Sequence, residues 1–258
     1  MIVRRFKLII NLCITMTKRY FIEIAYNGTK FHGWQVQPGS ISIQSSVEDV
    51  LTQLNSQEKI SVVGCGRTDA GVHANSYFFH VDLPFLCDDH LISKMNKMLP
   101  NDIVAIGFEE VSPEKHARFD AKWRTYRYFI NTTKDPFKNE LSWFVSRPLN
   151  IDLMNEAASL LIGKQDFASF AKLHSDVKNT ICEITHAQWE IKNDTLVFEI
   201  CANRFLRNMV RAIVGTLLEV GQNKMSANEF KKVIAQQDRQ AAALSVPAHG
   251  LFLWKIEY

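Results

Sequence analysis

The sequence lacks the features that mark several large classes of protein. In its 258 residues, no apolar run approaches the ~18 residues that are needed to span a bilayer. Cysteine is scarce, at five residues, and no two cysteines have the C-x-x-C spacing of a redox or metal site. We therefore expect a cytoplasmic protein with reduced thiols, no membrane-spanning helix and no bound metal.

Excess charge of either sign is also lacking. Lys and Arg number 30 and Asp and Glu number 27, which gives a net charge of +3. This weakly basic balance permits a polyanionic partner but does not establish one. Apolar residues make up 47% of the chain and charged residues 22%, as in ordinary globular proteins that bury a core. The placement of the basic residues therefore matters more than their number.

The first 16 residues differ in character from the rest. They begin with a basic and apolar stretch, MIVRRFKLIINLCIT, but no small-residue cleavage site follows it, as a signal peptide would require. A second methionine, Met16, stands just before the first strand-like segment. We expect residues 1–16 to be a dispensable N-terminal extension, followed by two α/β halves at residues 17–112 and 113–258.

Hydrophobic periodicity predicts the order β-α-β-β-α-β in the first half, which is that of a ferredoxin-like unit. Apolar residues recur at helical spacing from Ile43 to Leu54, and Ser45 or Ser46 is the expected N-cap. A second helix is predicted to end before Pro100. The predicted strands are residues 19–26, 60–64, 76–83 and 103–108, and the second helix is residues 88–99.

The second half repeats this order loosely, with Asn193-Asp194 as a turn between two paired strands. We therefore predict an α+β fold of two ferredoxin-like (βαββαβ) halves related by pseudo-twofold symmetry. Their strands would form a central antiparallel sheet with a cleft above it. The predicted strands are residues 123–131, 181–191, 195–201 and 251–256, and the helices are residues 152–162, 204–220 and 227–235.

The sharpest local pattern is the glycine-rich segment of residues 64–74, GCGRTDAGVHA. It fits neither phosphate-binding template, because Asp69 stands where a dinucleotide fingerprint needs glycine and no Lys-Ser/Thr pair follows Gly71. An aspartate in such a turn usually caps its own backbone. Here Arg67 lies two residues earlier, and a nearby guanidinium keeps a carboxylate ionised. An ionised carboxylate can attack an anomeric carbon, as glycosidase nucleophiles do.

Residues 66–73, GRTDAGVH, resemble the signature loop of the TruA-type family of tRNA pseudouridine synthases. Further motifs of that family follow in order, and the resemblance covers nearly the whole chain after residue 17. Asn27 is a departure, because the family usually has aspartate at that position. The other matching motifs are YNGTKFHGWQ at residues 26–35, HARFDA at residues 116–121, RTYRY at residues 124–128 and NRFLRNMVR at residues 203–211.

The resemblance implies a role for four residues. Asp69 would be the catalytic nucleophile, and Arg67 would help to flip the target uridine out of its stack and fill the space left behind. Tyr126 would stack against the target base and help to remove its C5 proton, while Arg211 would pair with Asp69. The implied substrate is tRNA, at uridines 38, 39 and 40 of the anticodon stem-loop. The family also implies a homodimer and no metal or organic cofactor.

Other residues have simpler interpretations. A helix from residue 204 would place Arg204, Arg207 and Arg211 on one face, where the first two could contact phosphates. Residues 115–128 interleave basic and aromatic side chains, a composition that suits a surface for single-stranded nucleic acid. Within that segment, Tyr128 is expected to pack in the core. We expect Trp34 to anchor a loop, and His73, His116 and His249 to make structural hydrogen bonds.

Two other functions are compatible with parts of this pattern. A non-catalytic RNA-binding module can be built on the same βαββαβ unit, but it would not need Arg67, Asp69 and Tyr126 together. A nucleoside hydrolase could use Asp69 in a similar way, but the aspartate-rich calcium loop that it would need is missing. The sequence leaves open whether Asp69 attacks C1′ or removes a sugar proton to form a glycal.

Overall fold

A computed structural model describes residues 17–172 and 179–258. The expected extension at residues 1–16 lies outside the described residues, so its dispensability stays a prediction. Across the described ranges, no helix has the length and apolar character that crossing a membrane requires. These described residues form an α+β fold, as predicted, which is built on one sheet of ten strands.

The first half has the predicted order of elements, but two of its boundaries differ. The N-cap of the first helix is Ser42 rather than Ser45 or Ser46, because Ser42 and Ser45 form a reciprocal capping box one residue before Ile43. The second strand is shorter than predicted because the Ile60 and Val62 amides donate to side chains of that helix. The elements are β1 (Lys18–Tyr26), α1 (Ile43–Leu54), β2 (Val63–Gly64), β3 (His73–Leu83), α2 (Asp89–Met98) and β4 (Ile103–Val111).

The second half contains the predicted elements and two short additional strands. Asn193 and Asp194 both have positive φ, at 48° and 61°, which is the backbone of a tight hairpin turn. The elements are β5 (Trp123–Asn131), β6 (Trp143–Phe144), α3 (Ile151–Ser159), β7 (Gly163–Asp166), β8 (Ile181–Lys192), β9 (Thr195–Ala202), α4 (Met209–Gly221), α5 (Ala227–Gln236) and β10 (Leu251–Glu257).

Helix α4 begins five residues later than predicted. Asn208 has a left-handed backbone, with φ at 68°, and the Met209 amide donates to the Leu206 carbonyl in a turn before the helix. Since a left-handed residue interrupts an α-helix, Arg204 and Arg207 precede α4 and only Arg211 lies on it. The predicted helical face of three arginines is therefore wrong.

The predicted strands have the same order in the two halves when each half is counted from its own first strand. The first half is arranged β4-β1-β3-β2, and the second, without the additional strands β6 and β7, is arranged β10-β5-β9-β8. Strand β3 joins the two halves by pairing with β10. Among the strands that the structure describes, all pairings are antiparallel except β3 with β10 and β5 with β6, so the sheet is mostly antiparallel, as predicted. The pseudo-twofold relation of two ferredoxin-like halves stays a prediction.

Two hydrophobic cores cover the same face of the sheet. One contains side chains of α1 and α2, and the other contains side chains of α3, α4 and α5. Leu251 belongs to the second core and Leu253 to the first, although both point to the same face of β10. Tyr126 packs against both cores. The boundary between the two helical layers therefore runs over β10 and β5, beside Tyr126.

Candidate active site

Asp69 lies on the Asp69 loop, residues 65–72, which connects β2 to β3. The loop is held to the first half at both sides of Asp69, since the Gly71 amide beyond it donates to the Phe31 carbonyl at 3.3 Å and other bonds hold Gly66 and Thr68 before it. The Trp34 amide donates to the Thr68 carbonyl at 3.3 Å, and the Tyr26 hydroxyl bonds the Thr68 hydroxyl at 2.9 Å. The Tyr77 hydroxyl donates to the Gly66 carbonyl at 2.6 Å. These contacts leave the loop little freedom, so the position of Asp69 is set largely by its own backbone.

Trp34 and Gly33 pack against the backbone of this loop at Thr68. Trp34 is buried and its ring stacks on Tyr77 with centroids 4.2 Å apart, as expected of a loop anchor. Gly33 has φ of +80°, and a Cβ built on it would lie 2.3 Å from the Thr68 carbonyl oxygen. A side chain at residue 33 would therefore push Thr68 and its neighbour Asp69 out of place.

His73 fixes the end of the Asp69 loop. Its Nδ1 accepts from the Gly28 amide at 3.0 Å, so its Nε2 carries the proton and donates to the His249 carbonyl at 3.0 Å. Burial lowers the pKa of His73 and keeps the ring neutral. His73 is therefore a structural hydrogen-bonder, as predicted, and it links the loop to the segment before β10.

Two guanidinium groups face the Asp69 carboxylate from the second half. Arg211 Nη1 lies 3.6 Å from Asp69 Oδ2, and Arg207 Nε lies 3.7 Å from Asp69 Oδ1. These separations give electrostatic attraction without close hydrogen bonds. Arg211 is anchored, because its Nε donates to the Val246 carbonyl at 2.7 Å, whereas the Arg207 side chain is 63% exposed. The carboxylate is 29% exposed and remains accessible to a ligand.

Tyr126 lies beside this ion cluster on β5. Its ring meets Phe205 edge to face, with centroids 5.1 Å apart. Burial, and then the nearby Cys65 and Asp69, raise the pKa of the Tyr126 hydroxyl, so it keeps its proton at neutral pH. Tyr128, two residues further on, is buried and donates to the Pro247 carbonyl, which confirms that it packs in the core.

Arg67 is the one predicted site residue that stands apart from this cluster. It is exposed, and its side chain forms no hydrogen bond or ion pair with any residue in 17–172 or 179–258. The structure thus brings together Asp69, Tyr126 and Arg211 and leaves Arg67 two residues away on the same loop. The roles that the resemblance implies for these four residues stay predictions.

Sequence reasoning missed two contributors to the site. Arg207 was expected only as a phosphate contact, yet its guanidinium faces Asp69. Val246 was not singled out, because no residue pattern signals a carbonyl that holds a guanidinium 35 positions earlier. The chain segments that meet here, residues 65–72, 203–211 and 242–249, are far apart in sequence, and the fold alone makes them neighbours.

Metal ligands would come from the acidic, histidine and cysteine side chains that the structure describes. Over the parts of the chain that the structure describes, no group of three or more His, Cys, Asp and Glu side chains could hold a metal ion. The thiols of Cys65, Cys87, Cys182 and Cys201 are free. Burial raises the pKa of Cys65 to about 12, so this thiol near Tyr126 is not a thiolate at neutral pH.

Comparison with known proteins gives consistent results. The family profile described as tRNA pseudouridine synthase matches residues 157–258. The chain is 49% identical over 244 residues to tRNA pseudouridine synthase A of Bacteroides fragilis, covering 93% of this chain and 96% of the relative. It is also 49% identical over 247 residues to tRNA pseudouridine synthase A of Porphyromonas gingivalis, covering 93% of this chain and 97% of the relative.

Among solved structures, a chain in the crystal structure of a Cbf5–Nop10–Gar1 complex is similar to this one, with a TM-score of 0.29 and 14% sequence identity. The alignment covers 77% of this chain and 54% of the chain in that complex. A structural similarity this weak adds nothing to the assignment of a family, which rests on the relatives found by sequence. Their identity extends over nearly the full length of both partners and includes both halves that contribute to the site. The chain belongs to the tRNA pseudouridine synthase A family.

Proposed function

We propose that this protein isomerises uridine to pseudouridine in tRNA and that Asp69 acts on the ribose of the target nucleotide. The observation that carries the proposal is the setting of Asp69, a partly exposed carboxylate on a rigid loop, faced by Arg207 and Arg211. The names of the relatives at 49% identity support tRNA as the substrate. The non-catalytic RNA-binding alternative does not account for this carboxylate.

The chemistry requires few groups, because the product is an isomer of the substrate. The N1–C1′ bond breaks, the uracil turns and C5 bonds to C1′; the C5 proton leaves and N1 gains a proton. No electrons are exchanged, so the reaction needs no redox cofactor. Asp69 would serve either as nucleophile at C1′ or as base toward a ribose proton, and both roles need an ionised carboxylate.

The target base must leave its stack before Asp69 can reach the sugar, and extrusion costs a few kcal/mol. Arg67 is exposed beside Asp69, which suits a side chain that enters the RNA and fills the gap. Tyr126 lies at the boundary of the two cores, where a flipped base would meet its ring. Because the Tyr126 hydroxyl is protonated, it can donate a hydrogen bond to the base.

The finer assignment follows the family resemblance. We propose uridines 38, 39 and 40 of the anticodon stem-loop as the targets, a homodimer as the working form and the cytoplasm as the location. Residues 17–112 would supply the acting carboxylate and residues 113–258 the cations that face it. Phosphate contacts would dominate binding, so the tRNA dissociation constant should rise steeply between low and moderate salt.

The direct test is incubation of the protein with uridine-labelled tRNA, followed by mapping of pseudouridine. We expect product at positions 38, 39 and 40, and replacement of each uridine by cytidine should remove the product at that position alone. Release of free uracil would indicate a hydrolase instead. Salt-sensitive binding without pseudouridine or uracil would indicate a non-catalytic RNA-binding module.

A further inference from the structure

An exposed phenylalanine stands at the tip of the connection between β4 and β5. Phe119 is 75% exposed, in the Phe119 turn, residues 115–121. One side of its ring lies against the His116 ring, with centroids 4.2 Å apart and planes at 30°, and Arg118 Cζ lies 5.8 Å from its centroid. A large apolar ring this exposed gains little from folding. Burial in the fold therefore does not account for its position.

The turn that carries Phe119 is closed by its own hydrogen bonds. His116 Nδ1 accepts from the Arg118 and Phe119 amides at 3.1 and 3.3 Å. The Asp120 carboxylate accepts from the His116 amide at 2.9 Å, and the Asp120 amide donates to the His116 carbonyl at 3.0 Å. The backbone of the turn is thus held in place and the ring rests on His116, so a ligand that stacks on it would lose little free energy to ordering the turn.

Further contacts attach the turn to the sheet. The Ala117 amide donates to His80 Nδ1 at 3.1 Å, and the Tyr258 hydroxyl donates to the Ala117 carbonyl at 2.8 Å. Arg124 donates to the Arg118 carbonyl at 2.7 Å and to the Ala121 carbonyl at 2.8 Å. These anchors tie the turn that carries the exposed ring to β3, β5 and the end of β10.

Arg124 also joins the Phe119 turn to the active site. Its Nη1 donates to the Asn203 carbonyl at 2.7 Å, and Asn203 opens the segment of residues 203–211 that carries Arg207 and Arg211. Arg124 and Tyr126 are two residues apart on β5 and point to the same face of the sheet. The turn and the catalytic groups therefore share one rigid support.

The surroundings of Phe119 suit an RNA strand. Within residues 114–122, three basic side chains are exposed, those of Lys115, Arg118 and Lys122. Glu114 is the exposed acidic residue of this stretch, because the Asp120 carboxylate accepts a hydrogen bond inside the turn. A stacking ring among exposed cations is the arrangement by which proteins hold unpaired bases while their phosphates are neutralised. A paired stem offers no base face to such a ring.

We propose that Phe119 is a stacking platform for an unpaired base of the tRNA, outside the catalytic centre, and that Arg124 is the positioning residue that holds it. The inference rests on the proposed function and adds a contact that contributes to tRNA affinity. Loss of an aromatic platform of this kind costs about fivefold to 100-fold in binding to single-stranded nucleic acid.

The test is a series at one position. Phe119→Ala and Phe119→Leu should both raise the tRNA dissociation constant by about fivefold or more, whereas Phe119→Tyr should restore it to within about twofold of wild type. At saturating tRNA, the single-turnover rate of pseudouridine formation should be the same in all four proteins, because no reacting atom is touched. Arg124→Lys should weaken tRNA binding in the same way, with Phe119 still present.

Ile191→Ala is the matched control, since Ile191 is 66% exposed at the far end of β8, and it should leave binding unchanged. Equal dissociation constants for Phe119→Ala and wild type would overturn the inference, as would a Leu variant that binds like Tyr. A change in oligomeric state with unchanged tRNA binding would assign the ring to a protein contact and also overturn it. Absence of pseudouridine with the wild-type protein would instead refute the proposed function, which separates the two failures.

Discussion

The two regions that meet at the candidate active site hold their charged groups in opposite ways. The Asp69 loop is fixed through its backbone by hydrogen bonds on both sides of Asp69 and by the close approach of Gly33. The facing segment, residues 203–211, offers its charges on long side chains. Their nitrogens stop 3.6 and 3.7 Å from the carboxylate, and one of the two side chains is 63% exposed.

The difference separates two tasks. A carboxylate that must meet one ribose atom gains from a backbone that cannot move, because misplacement by about 1 Å can cost 10²-fold in rate. An exposed guanidinium such as that of Arg207, which would meet both Asp69 and the phosphates of an incoming strand, gains from freedom to adjust, whereas Arg211 is held by the Val246 carbonyl. We therefore expect substitutions in the first region to alter geometry and substitutions in the second to alter charge.

Asp69→Asn should have the largest effect. The amide is nearly isosteric with the carboxylate, so the loop, the fold and tRNA binding should survive while pseudouridine formation becomes undetectable. Pseudouridine should be measured under single-turnover conditions beside tRNA binding by filter retention. Loss of a general electrostatic helper would cost only about 10²–10³-fold. If the variant kept a tenth of the wild-type rate with intact binding, Asp69 would be a supporting residue.

Substitutions of the two arginines that face Asp69 should have the next largest effects on the rate, and these two effects should differ. Arg211→Gln should lower the single-turnover rate by about 10²-fold, because it removes an anchored charge that faces Asp69. Arg207→Gln should cost less than about tenfold in that rate, since an exposed ion pair contributes little, and should mainly raise the tRNA dissociation constant. Equal losses of rate in the two variants would contradict the distinction between an anchored and a mobile cation.

Gly33→Ala should lower the rate by about tenfold without touching any charge, because a Cβ would strike the Thr68 carbonyl. Gly39→Ala is its control: Gly39 also has positive φ, at +72°, but nothing lies within 4 Å of its Cβ. The strain of a left-handed alanine, ~1–2 kcal/mol, should lower the melting temperature of both variants. Only Gly33→Ala should lose activity, and similar rates for the two would show that the loop tolerates displacement.

Tyr126→Phe should have the smallest effect. If the protonated hydroxyl donates one neutral hydrogen bond to the base, its loss should slow turnover by about fivefold and spare tRNA affinity. The raised pKa of Tyr126 implies that the wild-type and variant pH–rate profiles run parallel from pH 6 to 9. Equal rates would leave Tyr126 as a packing platform, and a pH-dependent gap between the curves would show that the phenol titrates during catalysis.

The sequence predicted the Asp69 loop well because its signals are local. Glycines between two short apolar runs indicate a tight connection, and Arg67 and Asp69 stand inside it. The same reasoning failed at residues 203–208, where apolar spacing favoured a helix but Asn208 takes a left-handed backbone. It also missed Ser42 as a cap, and it could not foresee Val246 holding Arg211. Contacts between distant segments depend on how strands are ordered in the sheet, which periodicity does not encode.

Strand β10 has a consequence for how the protein is made. It lies between β3 and β5, and Val246 and His249, which hold Arg211 and His73, come just before it. Translation adds about 5–20 residues per second, so roughly six seconds or more separate the synthesis of β5 from that of β10. During this interval the nascent chain has two central strand edges open to wrong partners. A ribosome that stops before residue 251 would therefore release an aggregation-prone chain in which the candidate active site is unfinished.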